Sequence, residues 1–175
     1  MPYRREMLLR ILLLALCVLV ASPVCHAQRP FEQRGIAILQ TDKVFFERVA
    51  GMAPFEVYVK GIVDAMDGAV GKLPKSSPAG GFLVVAVKPD GRSRVWLDVA
   101  PQLTEDVAKV IETAARSVYP MLVKEGVVLF AVKISLWGGE PPKGMVPHPK
   151  EWESEADKAG GSIELGELVL RVWPD

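Results

Sequence analysis

Residues 81–99, GFLVVAVKPDGRSRVWLDV, carry the pattern from which the fold can be worked outward. Phe82 to Val87 are apolar or small without a break, Pro89-Asp90-Gly91 follows, and strict alternation then begins. Arg92, Arg94, Trp96 and Asp98 fall on one side of the second arm and Ser93, Val95, Leu97 and Val99 on the other. The two arms predict a β-hairpin, with proline fixing φ in the turn and Gly91 free to take positive φ. An arm that is apolar on both faces belongs in the middle of a covered sheet. An arm with one polar face suits an edge.

The flanking sequence supplies the rest of the unit. Thr104 is placed to cap a helix whose first turn holds Glu105 and Asp106, and Val107, Val110, Ile111, Ala114 and Val118 follow one helical face. Tyr119-Pro120 is expected to end it, and Gly126 introduces VVLFAVKISLW, a strand with Val128, Phe130, Val132, Ile134 and Leu136 on one face. One crossing helix makes this third strand parallel to the second and antiparallel to the first. The predicted strand order is therefore second, first, third. Upstream, Gly35 to Gln40 reads as a short strand, 42–49 (DKVFFERV) fits no single type, and Pro54 opens a helix with Val59, Ile62, Val63, Met66 and Val70 on one face. Residues 73–81 are loop by composition. Downstream lie a proline-rich loop from Glu140 to Lys150, a short helix over Glu151–Ala159 and a last strand over Glu167–Trp173. The expected fold class is α+β: an antiparallel sheet of three to five strands, built on the β-β-α-β unit 81–137, with two main helices.

The first 27 residues read as a cleaved signal peptide. Arg4, Arg5 and Arg10 precede the apolar run Ile11 to Ala21, and Cys25-His26-Ala27 offers a cleavage boundary. The run is shorter than the roughly 20 residues a membrane span needs, so no stable anchor is expected after cleavage. Loss of this segment removes three of 21 Lys and Arg and one of 21 Asp and Glu, leaving 18 against 20. That balance argues against nucleic acid as a partner. Both cysteines, Cys17 and Cys25, leave with the signal, so residues 28–175 must fold as one domain on a hydrophobic core without disulfides. The expected location is periplasmic or secreted.

The order of strand, Asp90-Gly91 turn, strand, amphipathic helix, Tyr119-Pro120, Gly126 and long strand resembles the C-terminal domain of the TonB energy-transducer family over Gly81 to Trp137. The resemblance implies the β-β-α-β fold and one sheet edge available to an extended peptide. It carries no functional residue across.

Catalytic machinery is not legible. His148 sits in a proline-flanked loop, VPHP, where a solvated side chain is the default, and no phosphate loop, zinc-binding helix or nucleophile elbow occurs. Glu151, Glu153, Glu155 and Asp157 fit a solvated helix start. No cofactor or metal site is expected. The positive signal is for binding: Arg92, Arg94 and Trp96 share a strand face and are of the types that concentrate interface energy. The alternative is that the chain's own N-terminal residues or last strand cover that face. The expectation is thus an exported, cofactor-free interaction module that meets an envelope protein or peptide. A small hydrolase with a carboxylate site and an immunity-type inhibitor of a toxin are the competing readings.

Overall fold

The computed structural model describes residues 29–161 and 163–174, so the expected signal segment lies outside the described residues. In chain order the elements are β1 (Phe31–Ile38), α1 (Asp42–Arg48), α2 (Met52–Val70), β2 (Ala79–Val87), β3 (Ser93–Ala100), α3 (Glu105–Arg116), β4 (Val128–Leu136), α4 (Lys150–Ala159) and α5 (Leu165–Val172). The strands form one antiparallel sheet in the order β1-β4-β2-β3. The α+β class is as expected, and so is the order β3, β2, β4 within the hairpin-helix-strand unit.

Register explains the uninterrupted apolar run of β2. Val85 lies opposite Phe130 of β4 and Val95 of β3, while Val84 lies opposite Ala131 and Trp96. The first set points into a core beneath α2 and α3, the second into a separate core beneath α4 and α5. All nine residues of β2 are buried because the sheet is covered on both sides. In the larger core Phe130 is fully buried and meets Phe55 edge-on at 5.1 Å, and Phe55 meets Phe45 in the same way at 5.1 Å. Such pairs add about 0.5–1.5 kcal/mol to burial alone.

The helices follow from their spacing. On α2 the buried residues Phe55, Tyr58, Val59, Ile62, Met66 and Val70 recur every three or four positions, and Pro54 occupies the first turn. Gly61 on this helix lies where a Cβ would press on Val118, so the residue that weakens the helix also admits the chain leaving α3. Helix α3 begins at the expected cap, Thr104, whose carbonyl accepts the Ala108 N–H at 3.0 Å although its side chain makes no capping bond. It stops at Arg116, before Tyr119-Pro120, because Ser117 closes the last turn with its hydroxyl on the Ala114 carbonyl at 2.7 Å.

Two expectations are corrected and one open segment is filled in. Strand β1 starts at Phe31 and not at Gly35: the stretch from Phe31 to Gln33 pairs with β4, and the irregularity needed to keep register falls between Gln33 and Gly35. The segment 42–49 is mostly helix, with Thr41 as N-cap and Phe45 as its buried residue. The last element is a helix and not a strand. Leu165, Leu168, Val169 and Val172 have the spacing of one helical face, and they bury against the sheet from outside.

Candidate functional site

The hairpin sets which atoms of β3 are available. Lys88 N–H donates to the Arg92 carbonyl at 2.9 Å and Gly91 N–H to the Lys88 carbonyl at 3.1 Å, with Gly91 at φ 77°. This is a three-residue loop closed by a left-handed glycine. Bonded and non-bonded pairs then alternate along β2 and β3, so Arg94, Trp96, Asp98 and Ala100 exchange ladder bonds with Ala86, Val84, Phe82 and Gly80. The N–H and C=O groups of Ser93, Val95, Leu97 and Val99 face away from β2. Among the described residues no strand pairs with β3 on that side.

At the far end of β3 this open edge becomes the floor of a groove of about 610 Å³. Leu97, Asp98 and Val99 form the floor; Glu105, Ala108, Lys109 and Glu112 of α3 form one wall; Lys150 and Glu151 at the start of α4 form the other. Gln102 and Leu103, in the turn that leads from β3 to α3, close the end. Three devices hold this shape. Gly81, opposite Val99, lets the two strands approach so closely that a Cβ there would overlap the backbone of Asp98 and Val99. The His148 N–H donates to Asp98 Oδ2 at 2.7 Å, which ties the proline-rich loop to the strand. Lys150 Nζ donates to Gln102 Oε1 at 3.1 Å across the groove's end.

The residues expected to meet a partner are engaged within the chain. Trp96 is only 3% exposed and packs edge-on against Trp152 of α4 at 5.5 Å. The Arg94 guanidinium lies 5.2 Å from the centre of the Trp96 ring and donates to the Val172 carbonyl at 3.2 Å. Arg92 lies at the exposed turn, with Nε 2.6 Å from Asp90 Oδ2 and its guanidinium 5.7 Å from the Trp173 ring. The Arg92 backbone N–H donates to Asp90 at 2.9 Å and, as the largest of several causes, holds that carboxyl below its ordinary value of 3.8. The Trp96 and Arg94 part of the expected surface is covered by the C-terminal helices, as the weighed alternative required though not as a strand, while Arg92 stays exposed at the turn. Trp152 was the missed signal. With Ala156 and Ala159 it gives α4 an apolar stripe behind the acids Glu151, Glu153, Glu155 and Asp157.

The His148 side chain is exposed, and among the described residues no group of three or more His, Cys, Asp or Glu could hold a metal ion. No helix of the described residues is long and apolar enough to cross a membrane. Comparison of the chain with protein-family models, with characterised proteins and with solved structures found no match.

Proposed function

We propose that the protein is an exported, cofactor-free interaction module of the cell envelope that takes an extended segment of a partner protein along the open edge of β3. One observation carries this reading: a groove of about 610 Å³ lined by α3 and the start of α4 takes in Leu97, Asp98 and Val99 of the edge strand β3. Backbone groups of Leu97 and Val99 that point into it can accept a further strand, which gives affinity through main-chain bonds while the walls select side chains. The likeness of Gly81 to Trp137 to the TonB C-terminal domain supports the same mode, since it implies a sheet edge open to a peptide.

A carboxylate hydrolase is the second reading, because Asp98, Glu105, Glu112 and Glu151 all line the groove. Their setting favours binding. Glu105 and Glu151 are exposed, and Asp98 and Glu112 are half-buried, so all four meet solvent. An immunity-type inhibitor would use the same edge and differs only in the partner.

The test starts from peptides selected on the folded protein from a random display library. Each selected peptide is resynthesised with N-methyl groups on alternate amides. A strand added to β3 has one set of amides facing β3 and one facing solvent, so methylation of one set should abolish binding and methylation of the other should spare it. Peptides that bind equally well with either set methylated would overturn the edge-strand reading, and hydrolysis of the unmodified peptide by the protein would favour the enzyme.

A further inference from the structure

We infer that the segment bound at the β3 edge is basic, with a lysine or arginine whose side chain lies over Leu97 and Val99 toward α3. The inference rests on the edge-strand reading above and adds the chemistry of the occupant.

The side chains of Leu97 and Val99 point to the α3 side of the sheet, and Asp98 points to the α4 side. In a strand paired beside β3, residues opposite Leu97 and Val99 share their face and so meet the α3 wall. Ala108 of that wall and Leu103 at the groove's end are apolar and half-buried. The same wall is charged, carrying the exposed Glu105 and Lys109 and the half-buried Glu112. Among the described residues neither glutamate is in an ion pair. Apolar residues beside acidic ones suit a side chain with a hydrocarbon stem and a cationic head. A short acid would leave the apolar residues uncovered and meet like charge.

The opposite wall points the same way. A residue across from Asp98 would face that carboxylate and Glu151, and opposite charges in directly facing strand positions are favourable. Lys150 is engaged with Gln102 at 3.1 Å. The groove as a whole carries four acids against two lysines, so it attracts cations before contact and favours basic segments over acidic ones.

The experiment uses three short probe peptides that alternate threonine with lysine, glutamine or glutamate, titrated against the intact protein at low salt. The lysine peptide is expected to bind about five- to ten-fold more tightly than the glutamine peptide, and the glutamate peptide more weakly than either. The advantage should shrink as salt is raised. A variant carrying Glu105→Gln and Glu112→Gln, with its thermal midpoint checked against the parent, should bring the lysine peptide to within about two-fold of the glutamine peptide. Equal binding of all three peptides, with the Leu97 and Val99 amides protected, would overturn the basic-segment inference and leave the edge-strand reading standing. Absence of binding by any peptide, or protection of those amides by a second copy of the protein as concentration rises, would overturn both.

Discussion

Trp152 of α4 meets Trp96 of β3 edge-on, with ring centroids 5.5 Å apart and planes at 82°. This contact fastens the C-terminal helices to the outer face of the sheet, and it turns a residue that resembles an interface anchor into a member of the smaller core. Both indole Nε1 atoms are buried and have no hydrogen-bond partner among the described residues. Ring packing therefore holds the pair, with the Arg94 guanidinium 5.2 Å from the centre of the Trp96 ring.

Replacing either tryptophan with alanine should lower stability by about 3–5 kcal/mol. The double variant should lose less than the sum, with a coupling of about 0.5–1.5 kcal/mol. Trp96→Phe should be far milder, because it keeps a ring and removes an unsatisfied donor. Chemical denaturation of the four variants checks this; additive losses would mean that the rings do not interact.

Two glycines give opposite expectations. Gly81→Ala puts a Cβ against the Asp98–Val99 backbone and should destabilise by at least about 1–3 kcal/mol, since neither strand can yield without losing its ladder. Gly68→Ala on α2 meets nothing within 4 Å and should stabilise by up to about 1 kcal/mol through helix propensity. Thermal or urea unfolding of the pair reads both signs. Equal effects would contradict the close approach of β2 and β3 that shapes the groove.

The hairpin turn has a pH signature. Asp90 is bonded to the Arg92 N–H and guanidinium, and its folded-state pKa lies below 3.8. A depressed carboxyl contributes stability above its unfolded pKa and loses it as pH falls through the folded one. Asp90→Asn should therefore be less stable than the parent near neutral pH, and the two should converge in strong acid. Carboxyl titration by NMR, together with unfolding at both extremes, checks the direction.

The proposed export gives a prediction at residues that precede the described ones. If residues 1–27 are a signal peptide, the intact mass of protein recovered from the envelope should correspond to a chain beginning at Gln28. A mass that retains the Ile11 to Ala21 run would indicate an anchor.

The hairpin, its crossover helix and the third strand were legible because each has one strong signal: Asp90-Gly91 at a turn, acids at the start of α3, and a long run rich in β-branched and apolar residues after Gly126 in β4. The C-terminal helices were harder. Leu168, Val169, Leu170 and Val172 satisfy a short strand as readily as a helical face, and periodicity cannot separate the two over eight residues. Local patterns also do not say which segments meet, so nothing before folding links Trp96 to Trp152, 56 positions later in the chain. The groove was out of reach for the same reason. Its floor, walls and end come from β3, α3, α4 and the turn between the first two, and its acids look like ordinary solvated helix residues until those elements are side by side.

Amide hydrogen exchange along β3, measured with and without a library-selected peptide, tests the central claim most directly. In the free monomer the Asp98 amide, bonded to β2, should exchange slowly, while the outward amides of Leu97 and Val99 exchange quickly. Peptide should slow Leu97 and Val99 and leave Asp98 unchanged, an alternation that only an added strand produces. Leu97 and Val99 already as slow as Asp98 in the free monomer, or a bound peptide that protects neither, would contradict the account.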